Sequence, residues 1–146
     1  MMRLQYMAKV DTEACIGCKQ CEFICPAAAI RVMEEKANVD GNRCIDCQRC
    51  IDICKVKNAI SRVLRDSEVV RYVDHTDLDQ AQIKELCGKA GLLPDMAICG
   101  CTRTTSQEAI AAVLKGAKNP EDICAMTGLR AGCGLYCMTR IFQVMQ

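Results

Sequence analysis

The chain has 146 residues, a formal net charge of +1 and 14 cysteines. Near-neutrality leaves no electrostatic case for binding nucleic acid or an anionic membrane surface, and no stretch approaches the run of about 18 apolar residues that a membrane span requires. With two Phe, three Tyr and no Trp, large apolar side chains are scarce, so bound metal is expected to supply part of the folding free energy.

The first segment, MMRLQYMAKVDTEAC, is broken by Arg3, Gln5 and Lys9. It has no apolar core of the kind a signal peptide carries. A reducing, cytoplasmic setting is therefore expected, where dense cysteines bind metals or do redox work rather than form disulfides. Tyr6–Val10 reads as a short strand.

The stretch CIGCKQCEFICPAAAI follows. Cys15, Cys18, Cys21 and Cys25 fall at gaps of two, two and three residues, with Pro26 after the last. CIDCQRCIDIC repeats the spacing at Cys44, Cys47, Cys50 and Cys54. Ile16 and Ile24 recur as Ile45 and Ile53, so residues 1–63 read as two copies of one unit in a pseudo-twofold domain. Short strands are expected at Ile30–Met33, Asn38–Val39 and Ile60–Leu64.

Each two-residue gap lets the chain turn and present sulfur again at cluster distance. The fourth cysteine is expected to begin a helical turn that points it away, toward the other centre. Cys15, Cys18, Cys21 and Cys54 are thus assigned to one [4Fe–4S] cluster. Cys25, Cys44, Cys47 and Cys50 are assigned to a second. Zinc would favour pairs separated by longer gaps, without a third cysteine at the same spacing.

Residues 64–94 read as a connecting segment. RDSEVVRYVDH is a strand or an extended linker. Thr76 and Asp77 offer a cap for a helix over LDQAQIKELCGKA, which Gly91 and Pro94 stop. His75, the only histidine, reads as a solvated linker residue. Lys55, Lys57, Arg62 and Arg65 form a basic cluster, read either as a docking face for an acidic partner or as an ordinary solvated face.

Residues 95–146 read as helical. Thr105 and Glu108 make a capping box before AIAAVLK, with Gly116 as the stop. Asn119-Pro120 opens a second helix that Gly128 ends. Leu135–Met145 is expected as a third, with Leu135, Met138, Ile141, Phe142 and Met145 on one face. Two close pairs, Cys99/Cys101 and Cys133/Cys137, stand before predicted helices. From spacing alone they could hold zinc or a [2Fe–2S] cluster. Cys87 and Cys124 fall inside helices and read as core residues, with Cys124 an alternative ligand. No Gly-rich nucleotide loop, Ser/His/Asp set or isolated nucleophilic cysteine is present, so no catalytic residue is nominated.

On its eight-cysteine pattern, residues 1–63 resemble a bacterial-type two-cluster ferredoxin. The resemblance implies one-electron transfer between redox proteins. The chain departs from that pattern at Lys55, where the family usually has proline, and by one extra residue after it. The segment from about Met96 to Arg140 resembles a bacterioferritin-associated-ferredoxin-type [2Fe–2S] domain. The likeness rests on the opening Cys99-Gly100-Cys101-Thr102, a helix ending in Gly116-Ala117, and Arg130-x-Gly132 before the last pair. It implies that Cys99, Cys101, Cys133 and Cys137 hold a [2Fe–2S] cluster, zinc being the alternative occupant. Such modules often accompany flavin-dependent dehydrogenases. The resulting expectation is an α+β protein: a ferredoxin-like two-cluster domain with short strands, then a small all-helical [2Fe–2S] domain. It would act as an electron-transfer subunit of a hetero-oligomeric oxidoreductase, with a flavoprotein partner. A free-standing carrier, a structural-zinc docking adaptor and a redox sensor are the competing readings; no basic recognition helix supports the last.

Overall fold

A computed structural model describes residues 1–56 and 58–146. Lys57, one member of the expected basic cluster, lies outside the described residues. The architecture is α+β. Strand β1 (Met2–Val10) pairs antiparallel with β4 (Ile60–Arg71), joining the start of the chain to a segment some sixty residues later. Strands β2 (Ile30–Met33) and β3 (Lys36–Val39) form a second antiparallel ribbon, with Ile30 opposite Val39. Two short helices, α1 (Gln20–Ile24) and α2 (Arg49–Ile53), pack together, α1 beside β2 and α2 beside β4.

The expected strands are present, but β4 is longer than the sequence implied. It continues past Leu64 to Arg71, with Met2 opposite Arg71 and a register shift between Leu4 and Tyr6. RDSEVVR is therefore strand rather than linker. Most of it is exposed and none of its side chains is fully buried, as fits a two-stranded ribbon with one face in water.

Repetition in sequence becomes repetition in backbone. Lys19 and Gln48, 29 positions apart, precede α1 and α2 with left-handed φ of 63° and 62°. Gly17 and Asp46 share the same offset and are also left-handed, at 69° and 53°. Left-handed residues at alternate positions make the kind of turn that points successive N–H groups into one concavity. One expectation is corrected here: Cys25 and Cys54 do not begin helical turns. They end α1 and α2 in extended conformation, with ψ of 113° and 120°. Leaving the helix is what lets each reach away from its own loop.

After β4 the chain forms helices α3 (Gln80–Lys89), α4 (Ser106–Leu114), α5 (Pro120–Thr127) and α6 (Cys137–Met145). Asp79, not Thr76 or Asp77, caps α3 by accepting from the Ala81 N–H at 2.9 Å. Asn119 caps α5 through the Asp122 N–H at 2.8 Å, with Pro120 at its first position. Buried Ile83, Cys87, Ile110, Ile123, Cys124, Leu129, Cys137, Ile141 and Val144 fill the space between these helices. Cys87 and Cys124 are both fully buried, and burial pushes the Cys124 thiol up to about 12.

Of the residues expected on one face of the last helix, Ile141 is fully buried. Cys137, Ile141 and Val144 point inward, while Leu135 precedes the helix and, like Phe142, is exposed. His75 is half-buried rather than solvated.

Only half of the expected capping box forms. Thr105 Oγ1 accepts from the Glu108 N–H at 3.4 Å. The Glu108 carboxylate instead turns inward, is 3% exposed, and accepts from the Val73 N–H at 3.4 Å. It thereby ties α4 to the segment just after β4. Burial raises the Glu108 carboxyl above its ordinary value of 4.5, because a buried charge loses hydration. Stability is then fullest below that value and falls as pH rises through the shifted one. Glu108→Gln retains an acceptor for Val73 and removes the charge. It should raise stability at about pH 8 by about 1 kcal/mol, with the gain vanishing near about pH 4.5. Thermal melts of the anaerobically purified protein across that range check this.

Candidate metal centres

The eight N-terminal cysteines gather around two cavities. One is lined by Cys25, Cys44, Cys47 and Cys50, with Ala8, Ala29, Ile30 and Ile45. The other is lined by Cys15, Cys18, Cys21 and Cys54, with Val32, Ala37, Ala59 and Ile60. Each cavity therefore takes three cysteines from one loop and one from the other. Matching donor sets are what the backbone repeat requires.

The walls are small and apolar. Ala27, Ala29, Ala37 and Ala59 are all buried, so backbone can approach the sulfurs. The Ala29 N–H points at Cys25 Sγ at 3.2 Å, and the Ala37 N–H at Cys15 Sγ at 3.4 Å. Gly17 is needed for a different approach. A Cβ there would strike the Glu35 carbonyl, its carbon 2.7 Å away, and φ is left-handed. At the equivalent Asp46 the side chain is accommodated and turned to use: Arg62 grips its carboxylate with two bonds of 2.9 and 2.6 Å.

Burial sets the protonation of these thiols. It pushes Cys50 up to about 12, reinforced by Cys47, Cys44 and Cys25 beside it. Cys21 and Cys47 are also raised, burial being the largest cause; an N–H bond from Arg49 and its positive charge partly offset this at Cys47. Alone, such thiols stay protonated. A bound metal centre would hold them as thiolates, since coordination deprotonates a thiol outright.

Two members of the expected basic cluster have internal partners. Arg62 bonds Asp46 and lies over the Tyr6 ring at 3.9 Å. Arg65 donates to the carbonyls of Tyr6, Gly41 and Cys44 at 2.9, 2.8 and 2.7 Å. Both pin the second cysteine loop to the β1–β4 ribbon. Lys55 is exposed.

The C-terminal cysteines come together as two pairs. Cys99 and Cys137 are buried and adjacent, and burial raises Cys137. Cys101 and Cys133 are exposed, and the Cys133 N–H points at Cys101 Sγ at 3.5 Å. The backbone N–H of Leu135, then the Cys101 thiol and the N–H of Tyr136, pull the Cys133 thiol below its ordinary value. The first loop is closed by the Arg103 N–H to Cys99 carbonyl bond at 2.9 Å and by a buried Thr102–Thr104 hydroxyl pair at 2.8 Å. Gly132 lets the second loop approach it: a Cβ there would sit 2.5 Å from Cys101 Cβ and 2.7 Å from its Sγ. Among the described residues, no group of three or more His, Cys, Asp or Glu side chains forms a single-ion site.

The arginines around the second loop were missed by sequence reasoning. Arg43 donates to the Ala27 carbonyl at 2.8 Å and to Asp122 of α5 at 3.0 Å. Arg49 reaches the carbonyls of Arg130 and Gly132. The available signal was the repeat itself, because Ala14 and Gln20 occupy the matching places in the first copy.

Comparison with known proteins gives two matches. Residues 7–55 match the 4Fe-4S dicluster domain. Residues 97–146 match the BFD-like [2Fe-2S] binding domain. No curated protein matches the chain. The two domain matches support an iron–sulfur electron-transfer role, and no helix among the described residues is long and apolar enough to cross a membrane.

Glycines in the C-terminal loops separate geometric need from mere presence. Gly132→Ala should displace Cys101 and lose the C-terminal metal, while Gly100→Ala, with nothing within 4 Å of its added Cβ, should retain it. Metal content and visible absorption of the two variants make the comparison.

Proposed function

We propose that the protein is an iron–sulfur electron-transfer subunit carrying two [4Fe–4S] clusters and one [2Fe–2S] cluster, which relays electrons between a flavin-containing catalytic subunit and another carrier. The donor set fits these groups. Two cavities each present four thiols, with amide N–H groups aimed at sulfur and apolar walls around them. The C-terminal loops present four more. Cys15, Cys18, Cys21 and Cys54 would hold one [4Fe–4S] cluster, Cys25, Cys44, Cys47 and Cys50 the second, and Cys99, Cys101, Cys133 and Cys137 the [2Fe–2S] cluster. When bound, the clusters supply one-electron redox chemistry; the chain supplies separation, burial and hydrogen bonding.

The observation that carries the relay is where the thiols meet the surface. Cys18 is exposed beside exposed Ile16 in the first loop. Cys101 and Cys133 are exposed beside Leu135 and Tyr136, the latter 85% exposed. None of Cys25, Cys44, Cys47 and Cys50 is exposed. Such a chain offers two approaches for partners and one shielded site. Exposed apolar side chains around Cys133 suit a protein partner more than water, and we assign that end to the flavoprotein.

The competing reading is a free carrier. Purification of the protein from its own cells under mild, anaerobic conditions separates the two. Co-elution with a flavin-containing subunit in fixed proportion is expected. Elution of the chain alone, free of flavin at every salt concentration, would favour the free carrier.

A further inference from the structure

The two cysteine loops are alike in backbone but differ in what they reach. Arg49 stands between Cys47 and Cys50, where the first loop has Gln20. Its guanidinium leaves its own half. Nη1 donates to the Arg130 carbonyl at 2.5 Å, and Nη2 to the Gly132 carbonyl at 2.9 Å. Both carbonyls belong to the loop that carries Cys133. Gly134, with φ of +68°, leaves room for this side chain, since an added Cβ would collide with Arg49 Nη2. A planar guanidinium with donors in a fixed fork holds two carbonyls in one geometry, which a lysine does not.

A second arginine works beside it. Arg43 precedes Cys44, bonds the Ala27 carbonyl two residues beyond Cys25, and pairs with Asp122 at 3.0 Å. Both arginines therefore flank cysteines of one cavity, that of Cys25, Cys44, Cys47 and Cys50. Among the described residues, no hydrogen bond or salt bridge runs from the Cys15–Cys21 loop to residues 95–146.

We propose that Arg49 is a positioning residue that clamps the Cys133 loop against the Cys25/Cys44/Cys47/Cys50 site, making that site the middle one of three. The inference rests on the reading of all three sites as redox centres and adds their order. An electron crossing the molecule passes between the middle and C-terminal sites over the Arg49 contact. The donor centre is oxidised by one electron, the acceptor is reduced by one, and no bond forms or breaks. Arg49 keeps its charge and touches no reacting atom; its part is to fix the gap.

The test is EPR of the fully reduced protein, with iron content measured on the same samples, for wild type, Arg49→Ala and Arg49→Lys. In the wild type, the neighbouring paramagnet should broaden the [2Fe–2S] signal and speed its relaxation. Arg49→Ala should keep full iron and lose that coupling, while Arg49→Lys should retain part of it. Full iron with unchanged coupling in Arg49→Ala would overturn the proposal alone. So would loss of iron from both variants, since Arg49 would then be needed to hold a cluster rather than to set a distance. A wild-type protein with no [2Fe–2S] signal would sink the three-centre reading and this inference with it.

Discussion

Cys54 lines the cavity built by the first cysteine loop, and Cys25 lines the one built by the second. This exchange is the constraint on which the N-terminal half depends. Neither loop surrounds its cavity alone, so the two must fold together. The ribbons, the short helices and the alanine-rich walls all follow from bringing eight sulfurs around two spaces. Few large side chains are buried there; Leu4, Ile30, Ile45 and Ile60 are the bulkiest aliphatic ones. Metal–sulfur bonds would take the structural place that packed rings occupy in an ordinary core.

The pseudo-twofold repeat makes the two sites alike, and a handful of side chains makes them different. Gly17 admits the Glu35 turn, whereas Asp46 at the matching place takes Arg62. Arg43, Arg49 and Arg65 fasten the second loop to α1–β2, to the Cys133 loop and to the β1–β4 ribbon. The first loop is left at the outside, with Cys18 exposed. Backbone symmetry with arginine asymmetry is a simple way to give one of two equal sites a neighbour.

Legibility in the sequence tracked the range of the interaction. Cysteine spacing, the strands Ile30–Met33 and Ile60 onward, the Asn119 cap and the Gly128 stop are local, and each could be read from a few adjacent residues. The full length of β4 was not, because its pairing with Met2–Val10 spans the whole N-terminal half. Glu108 satisfies a capping-box pattern, yet burial against Val73 outweighs the local bond. On α6 the apolar residues are plentiful enough for two faces, and only the position of Cys137 beside Cys99 selects between them. The basic residues read as one surface cluster because sequence gives charge but not partners; Asp46 and the carbonyls of Tyr6, Gly41 and Cys44 were needed to divide it.

The central claim is that all twelve of these cysteines serve iron–sulfur centres. Iron, sulfide and zinc analysis of anaerobically purified protein tests it most directly. The account predicts about ten iron and ten sulfide per chain and no zinc. About eight iron, eight sulfide and one zinc would contradict it, leaving two clusters and a C-terminal half that serves as a zinc-stapled docking adaptor.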